Sequence, residues 1–155
     1  MRNRGTRARV GGVSEPITVF TVVRVPPRAA WDLWTRPEHV RGWNFASDDW
    51  ACPEASNDLR PGGRFAYTMA ARDGSASFVF GGTHDAVEPA ARLASTLGDG
   101  RRVEVRFEPE GDAATRVTET FDPEGTFPLE AQRAGWAAIL ENFRAYAERT
   151  PPDPA

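Results

Sequence analysis

The apolar and polar positions along the chain follow two periods, and each predicts a different kind of element. Residues 17–25, ITVFTVVRV, are β-branched and alternate, which predicts a strand. Between residues 63 and 121, alternating segments separated by turns such as Asp73-Gly74 and Asp99-Gly100 predict a run of antiparallel strands. Residues 129–148 predict one long helix with an apolar stripe at helical spacing. The stripe consists of Trp136, Ile139, Leu140 and Phe143.

The segment after the first strand, VPPRAAWDLWTRPEHVRGW, predicts a short helix, a break and a second, shorter helix. Pro27 suits the first turn of a helix, where its missing N–H costs nothing. Trp31 and Trp34 are three residues apart and therefore share a helical face. Thr35 and Glu38 have the spacing of a capping box, which predicts that Thr35 caps the second helix.

Two further features lie between the main elements. Residues 44–61 are polar and predict a long connection, anchored by its aromatic residues Phe45 and Trp50. Gly81 and Gly82 interrupt the strand predicted over residues 77–87, and they predict a bulge or bend there.

An antiparallel sheet with one apolar face needs a cover, and the long helix is the only predicted element large enough to provide it. The expected fold class is therefore α+β, with a curved antiparallel sheet around a long C-terminal helix and two short helices after the first strand. We expect residues 15–150 to form a single domain. Residues 1–14 are predicted to be a flexible basic arm, and residues 151–155 a frayed tail.

Composition narrows the function classes. The 155 residues are 40% hydrophobic and 26% charged, with a formal net charge of -3, so no overall basic field favours nucleic acid. No apolar run approaches a membrane span, and the first residues lack the apolar core of a secretory signal. Cys52 is the only cysteine, which favours a reducing, cytoplasmic location. Two distant histidines and one cysteine predict no metal site, and no phosphate loop or cofactor motif is present.

Five segments together resemble the START-like, or SRPBCC, superfamily, whose fold is the helix-grip fold also called Bet v 1-like. The resemblance is greatest to the branch related to the activator of Hsp90 ATPase. The segments are VPPRAAWDLWTRPEHVRGW, DLRPGGRFAYTM, GGTHDAVEPAARLASTL, TRVTETFD and LEAQRAGWAAILENF. The resemblance implies a cavity for a small, mostly apolar molecule between sheet and helix, and it implies no shared catalytic triad.

Two residues are candidates for chemistry in such a cavity. Alternation places Val117, Glu119 and Phe121 on one face of the last strand, so Glu119 should point inward with its apolar neighbours. A carboxyl group among aromatic rings would have a raised pKa and would exchange a proton or bind a polar ligand group. The alternative is that Glu119 lies near the rim or pairs with an arginine or with the indole of Trp136. His84 also has inward parity; it either forms an acid–base pair with Glu119 or is a hydrogen-bonded structural histidine.

Aromatic residues dominate the predicted binding site, as is common in pockets for drug-sized molecules. We expect Tyr67, His84, Glu119 and Gln132 to supply its polar contacts. The aromatic candidates are Trp31, Trp34, Trp43, Trp50, Phe65, Phe78, Phe80 and Trp136.

Three functions follow, in order of preference. The first is binding of a hydrophobic or aromatic small molecule, lipid-like or polyketide-like, for transport, sequestration or self-resistance against a natural product such as an antibiotic. The second is an enzyme of the polyketide cyclase, aromatase or hydrolase type that uses Glu119 and His84. The third is an interaction protein associated with an Hsp90-type chaperone. We expect a monomer or a weak homodimer.

Overall fold

A computed structural model of the chain describes residues 15–151, and the predicted N-terminal arm and the last four residues of the predicted tail lie outside the described residues. Seven strands and three helices follow one another along these residues. In chain order they are β1 (Ile17–Val23), α1 (Pro27–Thr35), α2 (Pro37–Val40), β2 (Trp50–Asn57), β3 (Arg64–Ala71), β4 (Ser77–Glu88), β5 (Arg92–Leu97), β6 (Arg102–Pro109), β7 (Thr115–Phe121) and α3 (Leu129–Arg149).

The strands form one antiparallel sheet in the order β1-β7-β6-β5-β4-β3-β2. Alternation governs which side chains face the helix, as in β7, where every second residue is buried. The 21-residue helix α3 lies over this face and contacts β1, where Arg133 Nη1 donates to the carbonyl of Thr18 at 2.9 Å. The helix-grip prediction is therefore confirmed.

The two short helices close one end of the space under α3. Pro27 occupies the first turn of α1, where an N–H would have no partner within the helix, and the first helical hydrogen bond runs from the N–H of Ala30 to the carbonyl of Pro26 at 2.9 Å. Trp31 and Trp34 are both buried, and both meet the ring of Phe107 edge-on, at 5.4 Å and 6.1 Å. The shared helical face predicted for these two tryptophans is present.

The predicted capping box is wrong. Thr35 is still the last residue of α1, and its hydroxyl donates to the carbonyl of Trp31 one turn earlier, at 2.7 Å. Arg36 precedes α2 instead, and no side chain caps that helix. The break between the two helices lies one residue later than the spacing of Thr35 and Glu38 assumes.

The predicted connection over residues 44–61 is also wrong, because Trp50–Asn57 forms β2. This strand lies at the edge of the sheet, where a proline is tolerated because its missing N–H faces no neighbour. The pairing with β3 shifts register between Ala51 and Glu54, at the position of Pro53. Proline, polar residues and an irregular register together hide the alternation that identifies the other strands.

The bulge in β4 lies beyond Gly81 and Gly82. These glycines pair with β3 in unbroken register, and the register shift is between His84 and Ala86. A Cβ atom at Gly82 would lie 2.2 Å from the carbonyl oxygen of Thr96, so glycine is required there by the close approach of β5. Because the bulge follows His84, that residue keeps its inward orientation.

Candidate functional site

A cavity of about 320 Å³ lies between the sheet and α3. Phe78 and Phe127, which are 53% and 64% exposed, are its most exposed lining residues and mark the mouth. Twenty residues line it: Trp34, Trp43, Asn44, Phe65, Tyr67, Met69, Phe78, Phe80, His84, Leu93, Ser95, Arg101, Val103, Val105, Glu119, Glu124, Phe127, Gln132, Trp136 and Ile139.

The walls are aromatic and mutually braced. Trp136 of α3 stacks on Phe121 at 3.9 Å between ring centroids and meets Phe80 edge-on at 5.7 Å. Phe65 packs against Tyr67 at 5.3 Å and against Phe80 at 5.9 Å. These contacts hold the rings against one another, so the cavity has a defined shape in the absence of a bound molecule.

Glu119 is the unusual group of the cavity. Its side chain lies on the inner face of β7, where the residue is only 7% exposed, and residues 15–151 offer it neither a hydrogen bond nor an ion pair. Burial alone raises the pKa of this carboxyl to about 8. Near neutral pH the carboxyl group of Glu119 is therefore mostly protonated.

His84 is only 2% exposed, and both ring nitrogens already have partners. Its Nδ1 lies 2.9 Å from Ser95 Oγ and its Nε2 lies 2.6 Å from Asn57 Oδ1. Asn57 uses its amide nitrogen to donate to the carbonyl of Thr35, so its oxygen accepts from the histidine and Nε2 carries the proton. Burial lowers the pKa of His84, and the nearby Asp58 and Asp85 offset this only in part.

This geometry favours the structural interpretation of His84 over the acid–base one. A histidine held by Ser95 and Asn57, with its ring stacked on Phe65 at 5.0 Å, matches the structural interpretation. The structure provides no hydrogen bond between His84 and Glu119.

Tyr67 supplies a second polar group without a partner. Its residue is 8% exposed, and its hydroxyl has no hydrogen bond within the described part of the chain. Burial, with a smaller contribution from Cys52, raises the pKa of this phenol above its ordinary value. The hydroxyl therefore remains neutral and is available to donate or accept a hydrogen bond in the cavity.

Gln132 lines the cavity, but its amide serves the linker between β7 and α3. Its Oε1 accepts from the N–H of Glu124 at 2.8 Å, and its Nε2 donates to the carbonyls of Glu124 and Phe127 at 2.9 Å and 2.8 Å. The Glu124 carboxylate in turn accepts from the N–H groups of Thr126 and Phe127. Gln132 therefore shapes the mouth, and these bonds occupy the amide that was expected to contact a ligand.

Two predicted lining residues lie elsewhere. Trp31 is 2% exposed and packs in the core against Phe107 rather than along the cavity. Trp50 lies on β2, half-buried, and contacts Phe78 at 5.8 Å from outside the lining. The remaining candidates all line the cavity: Trp34, Trp43, Phe65, Tyr67, Phe78, Phe80, His84, Glu119, Gln132 and Trp136.

Sequence reasoning missed several polar and mouth residues. Asn44, Glu124 and Phe127 come from irregular segments, where no period indicates which side chains point inward. Ser95 was detectable, because it shares the parity of Leu93 and Leu97 on β5, both of which are buried.

Residues 15–151 contain neither a cluster of metal-ligating side chains nor a helix suited to span a membrane. Within residues 15–151, no group of three or more histidine, cysteine, aspartate or glutamate side chains is placed to hold a metal ion. None of the three helices described is both long and apolar enough to cross a membrane. Cys52 is a buried free thiol outside the cavity lining, and burial raises its pKa.

Comparison with known proteins gives one family. Residues 24–148 match the model for activator of Hsp90 ATPase homolog 1-like proteins. A solution structure of the AHSA1-like protein from Aeromonas hydrophila is 42% identical, with a TM-score of 0.80 over 86% of this chain and 92% of that one. A solution structure from Cytophaga hutchinsonii is 46% identical, with a TM-score of 0.74 over 85% and 91% of the two chains.

A crystal structure from Chromobacterium violaceum shares the fold alone, at 19% identity and a TM-score of 0.78, over 88% of this chain and 100% of that one. The search of curated proteins gives no match.

Proposed function

The chain belongs to the family of activator of Hsp90 ATPase homolog 1-like proteins, and on that premise we propose that it binds a hydrophobic or aromatic small molecule between the sheet and α3. Proteins of this fold family often bind hydrophobic ligands. Here the bound molecule would be lipid-like or polyketide-like, and binding would serve sequestration, transport or self-resistance.

One observation carries the proposal: an aromatic cavity of about 320 Å³ contains polar groups that the protein leaves without partners. Its volume is in the range of small-molecule sites, which combine apolar walls with a few polar groups. A protein interior is normally filled to crystal-like density, so a space of this size with Glu119 and Tyr67 pointing into it is a typical place for a ligand.

The test uses N-phenyl-1-naphthylamine, a neutral aromatic probe whose emission rises in apolar surroundings. Saturable binding with quenching of tryptophan emission is expected, because Trp34, Trp43 and Trp136 line the cavity. Non-saturable binding, or none, would refute a preformed site.

A pair of variants on α3 localises the probe. Ile139 is half-buried and lines the cavity, so Ile139→Trp fills the space and should weaken binding by about tenfold or more. Leu129 lies on the same helix, is 50% exposed and is absent from the lining, so Leu129→Trp is the matched control and should leave the affinity within about twofold. Equal effects of the two changes would place the probe outside the cavity.

The cyclase or hydrolase alternative retains one supporting observation, the unpartnered carboxyl of Glu119. His84 does not share that role in this structure, because Asn57 and Ser95 hold both of its ring nitrogens. A catalytic function would therefore depend on Glu119 as the proton donor or acceptor. Its test is turnover of a compound shown to bind: catalysis that survives Glu119→Gln unchanged would refute a catalytic role for this residue.

A further inference from the structure

The carboxyl of Glu119 is the group whose surroundings say most about a ligand. Across the sheet its register partners are Val19 on β1 and Val105 on β6, and Phe121 follows it on the same face of β7. All three are buried apolar residues. The fold thus places an acid in an apolar setting, and no group among residues 15–151 pairs with it.

The other titratable groups of the cavity do not supply a cation to Glu119. Tyr67 is a neutral phenol, and His84 is disfavoured as a cation by its burial. Arg101, at the mouth, donates through Nε to the carboxylate of Asp99 at 2.8 Å. The residues opposite Glu119 on β1 and β6 are apolar, and α3 contributes an amide, an indole and an isoleucine to the lining.

The lining charge is therefore negative once Glu119 ionises. Two carboxyl groups, Glu119 and Glu124, face one guanidinium, and that guanidinium is already paired with an aspartate. A buried carboxylate is stabilised by a cation at contact distance, and aromatic ring faces attract cations as well. An anionic ligand would meet repulsion, and a neutral hydrocarbon would leave the acid without a partner.

Given the proposed function, we infer that the molecule held in this cavity is an apolar amine, whose protonated nitrogen pairs with the carboxylate of Glu119 while the aromatic walls enclose its hydrocarbon part. The nitrogen supplies the positive charge that the described lining does not offer to Glu119. Hydrophobic area alone would not distinguish this ligand from an uncharged one of equal shape.

Pairing of this kind couples binding to a proton. Because burial raises the pKa of Glu119 to about 8, the empty site at pH 7 holds the protonated acid, and a cation binds to the ionised form. Binding of a permanent cation should then release close to one proton at pH 7. Its affinity should rise about tenfold per pH unit up to about pH 8 and then level off.

The experiment compares two probes of the same shape. They are the 1-naphthylmethyl-trimethylammonium ion and 1-neopentylnaphthalene, in which a carbon atom replaces the charged nitrogen. Calorimetry at pH 7 in phosphate and in ACES buffer measures affinity and proton release together. The cation is expected to bind at least about tenfold more tightly than the neutral probe and to release a proton, and the neutral probe to release none.

Substitution of Glu119 separates the amine inference from the proposed function. Glu119→Gln should remove both the preference for the cation and the proton release, so that the two probes bind the variant with affinities within about threefold of each other. Glu119→Asp keeps a carboxyl group and should retain part of the preference, which guards against a folding defect in the glutamine variant.

Each outcome is informative. If the neutral probe binds as tightly as the cation, or if the preference persists in the folded Glu119→Gln protein, the amine inference is refuted and the binding function stands. If neither probe binds the wild-type protein, the proposed function is refuted together with the inference.

Discussion

The space between the sheet and α3 has two ends that are both rich in aromatic residues. One end is filled by packed side chains, and the other contains the cavity. At one end, Trp31, Trp34, Trp43, Phe107 and Phe143 form a packed aromatic cluster with ring centroids 4.7 to 6.1 Å apart. At the other end, the rings line the cavity and leave about 320 Å³ between them. Helix α1 brings Trp31 and Trp34 to the first end, and Trp43 follows α2 there. Trp34 and Trp43 also line the near side of the cavity, whose cover is formed by α3 and the linker before it.

The two ends also differ in the hydrogen-bond partners of their buried polar groups. In and beside the aromatic cluster two polar groups have partners: Trp43 Nε1 donates to the carbonyl of Leu33 at 3.0 Å, and the Thr35 hydroxyl donates to the carbonyl of Trp31. In the cavity, Glu119 and Tyr67 have no partner within the described residues. Aromatic content alone therefore does not identify a binding site, whereas a cavity that contains an unpartnered buried carboxyl group does.

The largest effect is expected from a change at the packed end. Phe143 is fully buried and contacts Trp34 and Trp43 at 4.9 Å and 5.0 Å, so Phe143→Ala should lower the free energy of unfolding by about 4 kcal/mol. Urea denaturation measures the change. A loss below about 1 kcal/mol would show that the cluster relaxes to fill the gap, and would weaken the contrast between the two ends.

The next effect is the pH dependence caused by Glu119 in the cavity. Its unfolded pKa is near 4.5 and its folded pKa is about 8, so between these values the folded protein keeps a proton that the unfolded chain has lost. Stability should therefore fall as pH rises, by about 2 kcal/mol between pH 6.5 and pH 8, and Glu119→Gln should remove that fall. His84 acts in a separate window. Because its folded pKa lies below 6.5, stability should fall as pH falls below 6.5. Parallel pH profiles for the two proteins would contradict the prediction.

A smaller loss of stability is expected at His84, a buried polar group of the cavity that does have hydrogen-bond partners. Ser95→Ala removes the hydrogen bond to Nδ1 of His84 and should cost about 1 kcal/mol of unfolding free energy. Nitrogen NMR of the wild-type protein at pH 7 should show the proton on Nε2 of His84, as the bond to Asn57 requires. A proton on Nδ1 would contradict this network.

The smallest effect on stability is expected at the mouth. Phe127 is 64% exposed, so Phe127→Ala should change the free energy of unfolding by no more than about 0.5 kcal/mol. The same change should weaken binding of N-phenyl-1-naphthylamine, because it removes part of the lining. A large loss of stability without a loss of binding would show that Phe127 stabilises the fold and does not form part of the binding site.

Much of the fold and the inward face of the sheet follow from local pattern. The parity of Val117, Glu119 and Phe121 places the acid inside, because a strand has only two faces. The stripe on α3 identifies the covering helix for the same kind of reason. These predictions depend only on residues within one element.

The predictions that failed depend instead on contacts between different elements. The partners of Gln132 lie in the linker, and the position of Trp50 depends on an edge strand that Pro53 disguises. Trp31 and Trp34 share a helical face, yet only Trp34 lines the cavity, whereas Trp31 packs in the core against Phe107. These positions depend on how the elements pack against one another, and the hydrophobic period of a single element does not predict them.

The pairing of β1 with β7 has a consequence for how the molecule forms. Thr18 and Thr120 contact each other through their hydroxyls at 3.1 Å although 102 residues separate them in the chain. The strands from β2 to β7 pair with their neighbours in sequence and can assemble by successive local hairpins, whereas β1 must wait until β7 has been synthesised. The helix α3 packs on β1 and contributes Gln132, Trp136 and Ile139 to the cavity, so the cavity is completed only after these late, long-range contacts form. During synthesis, therefore, no binding-competent pocket exists until nearly the whole chain has emerged.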